Sequence, residues 1–265
     1  MRYQIAIPSY KRSKTVKEKT LSLLMKYNVD PNLVTIFVAN QEEKDIYENE
    51  LATTPFKNII VGVVGMGAIR NFIRNYYDEG TFVVNFDDDL SNIQRKSVKD
   101  EKKLEDIEDI EKELIFPMYE QMIKNNNKLC GVYAASNAFF MSYLPKVGLY
   151  YCIGSCWGNI NDKSSERMVL LDDKEDYERT LQHYLLDKSV SRLDNITVIS
   201  KYYTEDGGMQ VERTKERIDK SADNLVDRFP GLCTKYVRES TGHSELRLRD
   251  TRPKISSNTL DELFS

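Results

Sequence analysis

The chain has 265 residues, 40% hydrophobic and 30% charged, enough for one large α/β domain or two small ones. No stretch approaches the roughly 20 apolar residues that cross a membrane, and the short apolar run at the N-terminus gives way at once to charge, unlike a secretory leader. A net charge of −4 argues against a non-specific polyanion binder, and Cys130, Cys152, Cys156 and Cys233, with no zinc-type second pair, read as reduced structural thiols of a cytoplasmic protein.

Residues 3–7 are a short apolar run ending at Pro8, the first expected strand. Residues 13–27 have helical spacing, with Val16, Leu21, Leu23 and Leu24 apolar and Ser13 as the expected N-cap. A β-rich run at 33–39 is followed by a helical stretch at 40–51 and a third strand at 58–64. Gly65 and Gly67 interrupt the pattern, 68–77 is helical, and the strand at 81–86 runs directly into Asp87, Asp88 and Asp89. Strands alternating with helices predict βαβ units and a mostly parallel sheet. Right-handed crossovers bring the strand C-termini to one edge, where open sheets bind ligands, so Pro8, Asn40, Gly65 and Asp87 are expected to converge there.

The second half is less regular. The mostly acidic residues 98–115 read as a solvated helix, and a long helix is expected over 104–124. Strands are expected at 129–135 and 147–153, a helix at 173–187 and a late strand at 195–203. Gly207 and Gly208 mark a polar stretch, and 251–265 reads as a tail, partly disordered or helical. Segment 235–254 carries Lys235, Arg238, Arg247, Arg249, Arg252 and Lys254 against Glu239, Glu245 and Asp250, a local basic face in an acidic chain.

Three groups carry candidate chemistry. Three adjacent carboxylates repel one another, and a hard divalent cation relieves that repulsion while bridging to phosphate oxygens. Alternate side chains of a strand share a face, so Asp87 and Asp89 are expected to point at one ion; an exposed acidic turn is the plain alternative. Gly65 to Asn71 offers glycines at a helix start with Arg70 as a fixed cation suited to a diphosphate, or else an ordinary βα turn. It is neither a G-x-G-x-x-G nor a Walker A sequence. In Pro8-Ser9-Tyr10-Lys11-Arg12, Tyr10 can stack on a nucleobase and Arg12 can meet a phosphate, unless this is simply a surface loop. His183, in a helical run between Gln182 and Tyr184, reads as structural or surface.

IAIPSYKR, GMGAIRN and VVNFDDD, in that order, resemble the GT-A glycosyltransferase fold from the N-terminus through Asp89. The resemblance implies one α/β (Rossmann-like) domain over 1–250, with a mostly parallel sheet flanked by helices. Residues 1–95 form its nucleotide-sugar half and 96–250 its acceptor half, with 251–265 as a tail. It implies that Pro8, Ser9, Tyr10, Arg12, Gly67, Arg70, Asn71, Asp87 and Asp88 hold the donor, with a UDP-sugar expected. Mn²⁺ or Mg²⁺ is expected on Asp87 and Asp89 with His243 as a further ligand. Glu175-Asp176 matches the family's E-D pair, whose carboxylate is the catalytic base of inverting members; Asp172 and Asp173 compete for that role.

IPSYKR, GAIRN, DDD, EDYERT and DGGM together resemble a narrower group, the bacteriophage and TET-associated glycosyltransferases that act on hydroxymethylated pyrimidines such as 5-hydroxymethylcytosine in DNA, related to the base J glucosyltransferases. That resemblance implies modified DNA as partner, no membrane, the (host) cytoplasm as location, and Trp157, Gly207 and Gly208 on the acceptor side, with Tyr202 and Tyr203 near them. A polysaccharide, lipid or protein acceptor is the alternative. A nucleotide-binding protein without turnover is a third reading, which the intact carboxylates disfavour.

Overall fold

The computed structural model describes residues 2–200, 214–239 and 241–253. The sheet is built outward from β1 (Gln4–Pro8), which pairs in parallel with β2 (Val34–Val38) on one side and β4 (Phe82–Phe86) on the other. β3 (Ile59–Val61) extends it beyond β2, again in parallel. Beyond β4 lie β9 (Cys156–Ile160), β7 (Leu129–Tyr133), β10 (Val190–Ser200), β5 (Leu90–Lys96) and β6 (Leu104–Asp106), and β8 (Lys146–Gly148) pairs with β10. Because β9 is antiparallel to both β4 and β7, β7 and its parallel neighbour β10 run in the direction of β1. Most strands therefore share one direction, and β1, β2, β4, β7 and β10 end at one edge.

Alternation along the strands divides the core between two faces. Ile5, Ile7, Val84 and Phe86 pack in the main cluster with Val16, Leu21, Tyr47 and Met118 from helices on that side. Ala6, Phe37 and Val83 face the other way, onto Ile69 and Ile73 of α4 (Met66–Tyr76). Burial of both faces explains the nearly continuous apolar runs of β1, β2 and β4. On the α4 face, α6 (Glu175–Asp187) also packs beside α7 (Lys215–Arg228) and the two-stranded sheet of β11 (Cys233–Val237) and β12 (Ser244–Leu248).

The first helical segment runs unbroken through α1 (Ser13–Val16), a π-helical turn (Lys17–Leu21) and α2 (Ser22–Lys26). Ser13 is already helical and Arg12 occupies the cap position, so the expected Ser13 cap is corrected. Asn40 does cap α3 (Gln41–Glu50), accepting from the Glu43 amide at 2.9 Å.

The acidic stretch is also corrected. It is not one helix: β6 forms within it, and the helix begins only with the π turn Glu111–Ile115 and continues as α5 (Phe116–Lys124). Charges that look solvated in sequence are paired, Arg95 with Glu105 across strands at 2.9 Å and with Glu113 of the π turn. β5 was not legible because its residues alternate weakly; its pairing with β10 makes it a strand. The strand expected at 147–153 is confined to β8. β9, α7, β11 and β12 were not anticipated. No described helix is long and apolar enough to cross a membrane, and the four cysteines are buried and unpaired.

Candidate active site

The β1 end is pinned to the acidic run. The buried Ser9 hydroxyl lies 2.6 Å from Asp88 Oδ2 and 2.7 Å from the Tyr47 hydroxyl. Arg12 Nη1 reaches Asp88 Oδ1 at 3.2 Å and lies 4.0 Å from Asp89 Oδ2. Lys11 adopts φ 56° and donates its amide to Glu43. Tyr10, half-buried, carries the Lys11 ammonium 4.9 Å above its ring.

The Asp87 amide donates to Ser155 at 3.0 Å, and the Thr20 hydroxyl joins the Asp87 carbonyl (2.7 Å) to the Leu90 amide (3.0 Å), which fixes the turn after β4. Arg70 Nη2 donates to Asp87 Oδ1 at 2.9 Å, and Ser200 Oγ donates to Asp89 Oδ1 at 2.7 Å. Burial raises the pKa of Asp87, against the pull of Arg70 and with the help of Asp89. Burial likewise pushes Asp88 up to about 7 despite Arg12 and Ser9, with Asp87 and Asp89 adding to the rise. A run of carboxylates short of compensating charge suits a hard divalent cation. Asp87 and Asp89 would hold it, because Asp88 spends both oxygens on Arg12 and Ser9. His243 sits instead at the turn between β11 and β12, its backbone carbonyl bonded to the Arg238 amide. Among the described residues no group of three or more His, Cys, Asp or Glu side chains is gathered for a metal.

The second half of the site lies at the start of α6. Lys174, in the left-handed conformation, caps the helix, and its ammonium pairs with Glu245 at 3.1 Å. Glu175 is buried and bridges two guanidinium groups, Arg70 Nε at 3.4 Å and Arg179 Nη1 at 2.5 Å. Burial opposes the charge of Arg70, but Glu175 and Asp87 outweigh it and raise its pKa. Trp157 is buried beneath this pair, its ring 3.8 Å from the Arg179 guanidinium and 5.6 Å from that of Arg70. Both Glu175 oxygens are thus engaged by guanidinium groups, and Trp157 is the floor beneath them.

Asp176 is half-buried and differently placed. Its Oδ2 accepts from the Tyr151 hydroxyl and its Oδ1 from the Tyr177 amide at 2.9 Å. Tyr151 and Tyr177 stack at 4.3 Å, and Tyr177 donates to Glu245 at 3.3 Å. Gly154 leaves room beside this group: a Cβ there would lie 3.3 Å from Glu175 Oε1 and 3.5 Å from Asp176 Oδ2. The competitors Asp172 and Asp173 are engaged elsewhere, Asp172 with the Gly67 amide at 2.9 Å and Asp173 with Arg217 at 3.2 Å.

Gly67 is needed for packing, since a Cβ would come within 2.6 Å of the Leu171 carbonyl. Asn71 spends its amide on the Val169 backbone, donating at 2.7 Å and accepting at 3.0 Å. Both hold the segment before α6 against α4. Gly207, Gly208, Tyr202 and Tyr203 lie outside the described residues. Tyr47, Thr20, Tyr151, Arg179 and Ser200 were missed. Only Arg179 carries a local signal, one helical turn after Glu175; the others meet the site through tertiary contacts alone.

No protein-family model matches the chain, and no curated protein does. Among solved structures it is similar to S. aureus TarS 1–349 in complex with UDP-GlcNAc, with TM-score 0.55 and 15% identity over 86% of this chain and 67% of that one. It is also similar to glucosyl-3-phosphoglycerate synthase from Mycobacterium tuberculosis in complex with Mn²⁺ and UDP-glucose, with TM-score 0.52 and 9% identity over 93% and 86% of the two chains. At these identities the likeness establishes the fold, a mixed α/β domain with a mostly parallel central sheet of the GT-A glycosyltransferase type.

Proposed function

We propose that this protein is a metal-dependent glycosyltransferase that moves a sugar from a nucleotide-sugar to an acceptor hydroxyl. The observation that carries the reading is the joining of Asp87 and the start of α6 through Arg70, which brings a metal-suited carboxylate run and a second, tyrosine-bound carboxylate, Asp176, to one strand edge. The complexes of the two similar proteins support a UDP-sugar as donor, and that of the second supports Mn²⁺ as metal.

Asp176 is the general base. Tyr151 holds one carboxylate oxygen so that the acceptor proton has a fixed destination. Arg70 and the β1 loop orient the diphosphate end of the donor. Asp87 and Asp89 would hold the cation, which when bound would neutralise charge at the leaving diphosphate. In-line attack of the acceptor oxygen at the anomeric carbon gives inversion.

The acceptor proposed is a 5-hydroxymethylpyrimidine base in DNA. It rests on the sequence resemblance and on the exposed cations Lys235 of β11, Arg238 just after it and Arg247 of β12. A panel of UDP- and GDP-sugars is incubated with Mn²⁺ and DNA containing 5-hydroxymethylcytosine or 5-hydroxymethyluracil. Nucleotide release with a matching mass gain on the base supports the reading. Release indifferent to DNA replaces this acceptor by a polysaccharide, lipid or protein, and no release with any donor refutes transfer.

A further inference from the structure

We propose, resting on the assignment of Asp176 as general base, that Glu245 is a positioning residue. Through Tyr177 and Tyr151 it fixes the direction in which the Asp176 carboxylate meets the acceptor hydroxyl. Glu245 belongs to β12, so this hold reaches the base from a distant part of the chain.

The contacts form one continuous path. Glu245 Oε2 accepts from the Tyr177 hydroxyl at 3.3 Å and from the Lys174 ammonium at 3.1 Å. The Tyr177 ring stacks on that of Tyr151, with centroids 4.3 Å apart and planes 21° from parallel. The Tyr151 hydroxyl donates to Asp176 Oδ2. The Lys174 ammonium also lies 5.4 Å from the centre of the Tyr177 ring, so carboxylate, ammonium and ring gather around the first turn of α6.

The Glu175 clamp does not aim Asp176. It acts on a side chain about 100° away around the helix, at 3.6 residues per turn. The Asp176 side chain has staggered rotamers to choose from, and its two oxygens are held by the Tyr177 amide at 2.9 Å and by Tyr151. The second hold is as rigid as the Tyr151 ring, and the ring stacked on it is the one whose hydroxyl Glu245 accepts.

Lys174 gives Glu245 a second grip. It takes φ 62° and ψ 28°, a left-handed conformation in which a Cβ is crowded. Its ion pair with Glu245 ties the residue that begins α6 to β12. The Glu245 side chain is 25% exposed, and an ion pair open to water adds little to folding stability. Proton abstraction, by contrast, depends on orientation to a fraction of an ångström, so the effect of Glu245 belongs in kcat.

The test compares Glu245→Ala, Glu245→Gln, Tyr177→Phe and the Glu245→Ala/Tyr177→Phe double variant with the unaltered protein. The assay uses UDP-glucose, Mn²⁺ and the 5-hydroxymethylcytosine duplex of the panel above. Rates are taken well below each melting temperature and expressed per UDP-glucose site counted by calorimetric titration, so unfolded protein does not enter. Glu245→Ala should lower kcat about ten-fold, with UDP-glucose affinity changed by less than about twofold. Tyr177→Phe keeps the stacked ring and loses only the hydroxyl, and it should also lower kcat. In the Glu245→Ala background it should add less than about twofold, because both changes break one path. Glu245→Gln keeps an acceptor oxygen and should stay within about threefold of the unaltered protein. Unchanged kcat in Glu245→Ala, losses that multiply in the double variant, or a fall in UDP-glucose affinity as large as the fall in rate overturns the positioning role. Asp176→Asn separates the two failures. Full turnover in that variant removes the base and this proposal with it, whereas abolished turnover beside an unchanged Glu245→Ala leaves the base standing and overturns the positioning role alone. No nucleotide release by the unaltered protein from any donor of the panel refutes transfer and this proposal together.

Discussion

Asp87 and Glu175 are held by one guanidinium: Arg70 places Nη2 2.9 Å from Asp87 Oδ1 and Nε 3.4 Å from Glu175 Oε1. This contact ties the strand end that bears the acidic run to the helix start that bears Asp176. The two halves of the site therefore keep their spacing without a bound donor.

Asp176→Asn should lower transfer by roughly 100- to 10,000-fold, the range for a lost general base, with nucleotide-sugar affinity little changed. Tyr151→Phe should give a smaller loss, mainly in kcat. Single-turnover kinetics beside calorimetric donor titration separates the effects, and full turnover by Asp176→Asn removes it from the role.

Glu175→Gln should act on stability first. It leaves two buried guanidinium groups without their shared carboxylate, at a cost of about 3–5 kcal/mol. Urea unfolding should show the loss; an unchanged midpoint with abolished transfer would instead mark Glu175 as catalytic.

Asp87→Asn and Asp89→Asn should each raise the Mn²⁺ concentration needed for half-maximal activity, whereas His243→Ala should not. A shift in the His243 variant as large as in the aspartate variants would make that residue a further ligand.

His183 is buried, its Nδ1 donates to the Arg179 carbonyl at 2.9 Å, and burial lowers its pKa to about 3, with Arg167 adding to the fall. The unfolded chain takes up a proton near pH 6.5 that the native protein refuses. Native stability is therefore intact above about pH 6.5 and declines as pH falls toward 3, by about 1.4 kcal/mol per unit at most. Urea midpoints measured from pH 7 to pH 4 should fall less in His183→Gln than in the wild type.

Gly67→Ala should destabilise by about 1–3 kcal/mol, because its Cβ would meet the Leu171 carbonyl at 2.6 Å and backbone must move. The displaced segment leads into α6, so a drop in kcat should accompany the lower melting temperature.

The sequence by itself determined the N-terminal half of the fold. Apolar runs at β1, β2 and β3, each followed by a helix-spaced stretch, allow little besides a parallel sheet, and adjacency in the chain to β4 places the carboxylates at a strand end. It also picked out Arg70 and Asp176, whose positions at helix starts are local features. Only the tertiary structure decided what each of two neighbouring acids contacts. Glu175 and Asp176 are indistinguishable by composition, yet the turn of α6 aims one at Arg70 and Arg179 beneath the site and the other at Tyr151. The same holds for Asn71 and Trp157, whose polar and aromatic character suggested ligands and whose partners are the Val169 backbone and a buried guanidinium pair. β5 and β9 likewise exist because β10, β4 and β7 offer them hydrogen bonds from distant parts of the chain. Local sequence records propensity and spacing, whereas a side chain's partner is set by long-range packing that neither encodes.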